Sequence, residues 1–123
     1  MARRVPEDPT REDRILFEIV VDAYNESERA MSWYYYLQDQ LQMPFAAVCR
    51  SVRATSPLKV GDDLEVLAMA SEDDCMSEVH VVIKRGRSKL SVPLGQLESL
   101  SRNEDTSRGV ADWHYWQKRG YEY

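Results

Sequence analysis

The hydrophobic period of this chain changes twice, and that alone limits what it can fold into. Asn25-Glu26-Ser27-Glu28 places a capping residue three positions before a glutamate, the pattern of a reciprocal capping box. From Glu26 to Leu41 there is no Gly or Pro, and Ala30, Trp33, Leu37 and Leu41 mark one helical stripe. Pro44 stops any continuation, so the segment reads as a helix. After it the period drops to two. Phe45 to Val52 reads as a first strand, ending before Ser56-Pro57. Lys59-Val60-Gly61-Asp62 reads as a turn, followed by Leu64, Val66 and Ala68 on alternate positions. Val79, Val81 and Ile83 alternate again, and Arg85-Gly86-Arg87 closes a hairpin into Leu90, Val92 and Leu94. From Glu104 to Arg119 the helical period returns, with Val110, Trp113 and Trp116 on one face and Gly120 as a stop. The expected fold is α+β: a small SH3-like β-barrel flanked by N-terminal and C-terminal helices.

The N-terminal region is read the same way. Asp8-Pro9-Thr10 marks a helix start, with Glu12 and Asp13 close behind. Ile15, Leu16, Ile19, Val20 and Ala23 recur at helical spacing, while Ile15, Phe17, Ile19 and Val21 alternate like a strand. The carboxylates ahead of the apolar run favour the helix. Residues 1–9 read as a flexible arm and 10–123 as a single domain, the usual size for one core.

Charge excludes one large class of partner. Sixteen Lys and Arg are scattered among twenty-one Asp and Glu, giving a net charge of −5. Nucleic-acid binding needs clustered positive charge to neutralise phosphates, and no segment here collects it. No stretch has the length of a membrane span, and the first residues lack the apolar run of a secretory signal, so the cytoplasm is expected. Cys49 and Cys75 are too few for a disulfide framework.

Catalytic constellations are missing as well. His80 lies out of phase with Val79 and Val81, and His114 stands two residues from Asp112, so on a helix the two point apart. No nucleophile motif surrounds either cysteine. Zinc needs four Cys or His ligands, and the two of each are spread singly; buried cysteines with surface histidines account for them. No Gly-rich loop precedes a helix to cradle phosphate. The chain is not expected to be an enzyme.

Carboxylates remain. Calcium takes six to eight hard oxygens and tolerates irregular geometry. The twelve-residue EF-hand loop does not occur, so a site must come from separate segments. Glu72-Asp73-Asp74 is the best local donor group, because three consecutive acids repel one another until a cation relieves them. Read blandly, it is a solvated charge run. On the Glu26–Leu41 helix, Glu28, Ser32, Tyr35 and Asp39 share one polar face, away from Ala30, Trp33 and Leu37. Glu28 and Asp39 are about 16 Å apart along the axis and cannot share one ion. Asp39 lies near the helix C-terminus, where the dipole disfavours a carboxylate and a bound cation removes the penalty. Glu26 and Asp22 offer a second, weaker cluster, although capping explains Glu26 as well. The run Trp33-Tyr34-Tyr35-Tyr36 is no stacking platform, since consecutive helical positions point in different directions; packing of the helix against the barrel is its expected use.

Glu28-Arg29-Ala30-Met31, Trp33-Tyr34-Tyr35-Tyr36-Leu37, Asp39 and Pro44-Phe45 resemble the cyanobacterial calcium-binding protein family (CcbP-like). So do Ser56-Pro57-Leu58, Glu72-Asp73-Asp74-Cys75, Val92-Pro93-Leu94 with Gln96-Leu97-Glu98, and Asp112-Trp113-His114-Tyr115-Trp116 with Arg119-Gly120-Tyr121. The resemblance runs in order from about Asp22 onwards. It implies a non-EF-hand protein that sequesters calcium on an acidic surface patch. It also implies that Asp39 is the acid most associated with strong binding, with Glu72, Asp73 and Asp74 as its partners. The family pattern often carries an acid where Gln38 stands, which implies weaker binding here. Reversible buffering of Ca2+ is therefore the expected function. The rival is an interaction module whose acidic patch docks a basic partner; the sequence names no protein partner.

Overall fold

The computed structural model describes residues 8–118 apart from 22, 24, 55 and 77. The expected arm up to residue 7, the Asp22 part of the second acidic cluster, and the helix stop at Gly120 lie outside the described residues. Helix α1 spans Pro9–Arg14 and continues into a π-helical turn, Ile15–Ile19. The Asp8 side chain caps it by accepting from the Arg11 amide at 3.1 Å, and Pro9 occupies the first turn. Helix α2, Glu26–Gln40, starts as its sequence predicts: Asn25 Oδ1 accepts from the Glu28 amide at 2.9 Å. Helix α3, Glu104–Lys118, is capped by Asn103, whose Oδ1 accepts from the Thr106 amide at 2.9 Å.

Between α2 and α3 lie five antiparallel strands: β1 Phe45–Cys49, β2 Asp63–Met69, β3 His80–Arg85, β4 Ser88–Pro93 and β5 Leu97–Ser99. The first is shorter than the expected Phe45–Val52. Their order in the sheet is β4-β3-β2-β1-β5. The β3–β4 hairpin turns tightly on Gly86, whose φ of +61° suits the first position of a two-residue mirror-type turn.

The α+β fold is as expected, but the SH3-like barrel does not close: the sheet is open, with β4 and β5 at opposite edges. It is nonetheless curled. A 3₁₀ turn of Leu94–Gln96 is all that joins the two edge strands. Four residue steps reach at most about 13 Å, whereas the edges of a flat five-stranded sheet are about 19 Å apart. The edges converge at this corner, yet the short β5 pairs only with β1. Strand pairing does not bridge the seam.

Apolar residues of the curled sheet face α2 and α3. Phe45, Ala47, Leu64, Val66, Val81, Ile83 and Val92 join Trp33, Leu37, Val110, Trp113 and Trp116 in one buried cluster. Trp33 and Trp113 meet edge-to-face at 5.1 Å. Gly109 permits the close approach of α3 to α2: a Cβ there would lie 3.2 Å from Gln40 Cβ. One alternation expected from sequence fails. A bulge between Val66 and Ala68 turns Ala68 outward and Met69 inward. Among the described residues no helix is long and apolar enough to cross a membrane.

Candidate functional site

The acidic segment is the excursion that links β2 to β3. Its base is pinned where the Ala70 amide donates to the His80 carbonyl at 3.1 Å. Cys75, fully buried, pins it again: its Sγ donates to the His80 carbonyl and receives the His80 amide, both at 3.4 Å. Between these anchors Asp73–Cys75 form a 3₁₀ turn, and the Asp74 amide donates to Ser71 Oγ at 3.2 Å. Buried Cys75 and the outward acids are thus two sides of one turn. Glu72, Asp73 and Asp74 are all exposed.

This turn leans on α2. Tyr35 donates its hydroxyl to Glu72 Oε1 at 3.0 Å. That bond is the main reason the Tyr35 phenol is pushed above its ordinary pKa, followed by the charge of Glu72. Tyr34, half-buried beside Cys75 and Glu72, is pushed up chiefly by burial. Asp39 is exposed on the last turn of α2, four residues beyond Tyr35 and so about 6 Å further along the same face. Tyr35 therefore ties Glu72 to α2 through a residue one helical turn before Asp39, and Asp73 and Asp74 follow Glu72 in the same turn. Among the described residues none of these four acids is in an ion pair, so no Lys or Arg cancels their charge. Nor do three or more Asp, Glu, His or Cys side chains converge closely enough there to hold a metal ion. Their carboxylates are exposed rather than gathered in a closed cage.

Other polar groups from the sequence are structural. His80 is half-buried, with Nδ1 3.0 Å from the Glu78 carbonyl. His114 is not the surface residue expected. Burial, then the nearby Arg50 charge, lowers its pKa to about 4, and its Nε2 is buried without a hydrogen-bond partner. Glu26 and Glu28 are exposed in the first turn of α2, where Asn25 supplies the cap.

Asp112 was read only against His114, and sequence reasoning missed its role. It is fully buried and ties three helices together. Arg14 reaches both oxygens, at 2.6 and 3.1 Å, and Tyr36 donates to Oδ2 at 2.7 Å. Tyr115 donates to buried Glu12 at 2.5 Å, fastening α1 to α3. The only advance signal was an acid inside the aromatic run Asp112-Trp113-His114-Tyr115-Trp116.

The fold and site define a class: a small α+β domain offering exposed, unneutralised carboxylates from a helix and an adjoining turn. The chain belongs to the CcbP family, described as calcium binding, whose model matches residues 13–117. Two solved structures are similar over nearly the whole chain. The crystal structure of Anabaena CcbP is 39% identical, with a TM-score of 0.87 and full coverage of both chains. A calcium binding protein in the calcium-binding form is 36% identical, with a TM-score of 0.85, covering 95% of this chain and 96% of that one. No curated protein matches.

Proposed function

We propose that this protein binds Ca2+ reversibly and buffers it, through an open surface site made by Asp39 and the Glu72–Asp74 turn. The observation that carries the reading is the Tyr35–Glu72 hydrogen bond, which joins the acidic turn to α2 one helical turn from Asp39. Family membership and the calcium-binding form of a similar protein support the choice of ion.

The chemistry is electrostatic. Each additional negative charge around an exposed carboxylate raises its attraction for a divalent cation, and among the described residues no Lys or Arg forms an ion pair with these four. Asp39 adds to the negative end of the α2 dipole, where the last carbonyl oxygens lack intrahelical partners. Calcium accepts such a mixed shell of carboxylate, carbonyl and water oxygens at about 2.3–2.6 Å. Magnesium demands near-octahedral geometry and surrenders water reluctantly, so an open, irregular face favours calcium. Exposed side chains change rotamer within nanoseconds, which lets these acids close on an ion and release it.

We read the protein as non-catalytic and cytoplasmic. Two buried cysteines, too few for a disulfide framework, suit a reducing compartment. Thermal unfolding in calcium, magnesium and chelator tests the proposal. An ion bound only by the folded state at a hundred times its dissociation constant stabilises by about 2.7 kcal/mol. Calcium is expected to raise the midpoint well above magnesium. Equal midpoints in all three would reject calcium binding and leave docking of a basic partner as the use of the acidic face.

A further inference from the structure

The geometry points to Tyr35 as the positioning residue of this site: its hydroxyl holds Glu72 over the α2 face so that the acidic turn meets the ion already aimed. The inference rests on the calcium reading above and assigns Tyr35 no contact with the ion.

Three observations carry it. Tyr35 donates to Glu72 Oε1 at 3.0 Å, a bond that does not use Oε2. The ring of Tyr35 is itself braced. Tyr34 meets it edge-to-face, with centroids 5.6 Å apart and an interplanar angle of 89°, and Tyr34 is half-buried beside the anchor Cys75. Finally, Tyr35 remains 51% exposed although it is a large aromatic residue, so core packing does not explain its place. A chain of contacts runs from half-buried Tyr34 through Tyr35 to the carboxylate. A glutamate side chain is rich in rotamers, and fixing it beforehand removes part of the entropy cost of binding.

Calorimetric titration of calcium into wild type, Tyr35→Phe, Glu72→Ala and the double variant tests this. Phe keeps the ring against Tyr34, so the fold is retained. Tyr35→Phe is expected to bind calcium about three- to tenfold more weakly, the worth of one ordinary exposed hydrogen bond. The double variant should bind no more weakly than Glu72→Ala alone. Unchanged affinity in Tyr35→Phe or fully additive losses would each overturn the positioning role. If Glu72→Ala binds like wild type, the acidic turn is not a ligand source and the reading beneath fails too. If Glu72→Ala is weakened and Tyr35→Phe is not, only the inference falls.

Discussion

Tyr35 and Tyr36 are neighbours in sequence, and each donates its hydroxyl to a carboxylate, yet they belong to opposite halves of the molecule. Tyr36 turns inward to Asp112, which is fully buried and also held by Arg14. Its phenol is pushed far up, first by burial and then by the bond to Asp112. Tyr35 turns outward to Glu72, an exposed acid without an ion pair among the described residues. The roughly 100° between successive helical positions is enough to separate the two environments. A carboxylate in the first environment is committed to holding helices together, because leaving it unpartnered would cost several kcal/mol. In the second its charge is uncommitted and available to a cation. Burial, not residue type, divides structure from site here.

The sharpest way to break this division is at Asp112. Asp112→Ala leaves Arg14 and Tyr36 without their buried acceptor and should cost roughly 3–5 kcal/mol, nearer the lower figure because Arg14 reaches solvent. Urea unfolding measures the loss. Calcium affinity of the molecules that remain folded should not change; a large change would mean that the two regions are one.

Next in size is pH. His114 has a folded pKa of about 4 against an ordinary 6.5, so the unfolded chain takes up the proton first as pH falls. Its contribution is fully present above about pH 6.5 and is lost as pH drops towards 4, amounting to about 3 kcal/mol. His114→Gln should flatten this part of the stability profile measured in chelator. An unchanged slope would show that His114 does not titrate within the core.

On the exposed side, Asp39→Asn should weaken calcium binding about tenfold or more, a cost of about 1.4 kcal/mol or above. Stability in chelator should stay within about 0.5 kcal/mol of wild type. A large loss of stability with unchanged affinity would move Asp39 to the structural half. The smallest effect is expected at the α2 cap. Asn25→Ala removes the bond to the Glu28 amide and should cost about 1 kcal/mol by thermal unfolding, since α2 carries both tyrosines.

Local chemistry made much of the fold readable beforehand. Asn25 caps α2 where the capping pattern predicts, and the stripe of Ala30, Trp33 and Leu37 is buried. Gly86 turns its hairpin. These features depend on residues a few positions apart. What escaped depends on distant partners. Asp112 meets Arg14 across 98 positions and Tyr36 across 76, and no periodicity reports such pairs. The bulge that exchanges Ala68 for Met69 arises from pairing with β3. The open seam depends on how far the edge strands extend, since β5 is only three residues long. At the site, the acids were visible as residues, and the shared face of Tyr35 and Asp39 followed from helical spacing. The contact that joins Glu72 to that face spans 37 positions and needed the fold.

Diffraction from crystals grown in calcium, with anomalous scattering to locate the ion, tests the central claim most directly. The account predicts an ion within about 2.3–2.6 Å of an Asp39 carboxylate oxygen and of at least one oxygen from Glu72, Asp73 or Asp74. An ion held elsewhere, with Asp39 and the acidic turn both facing bulk water, would contradict it.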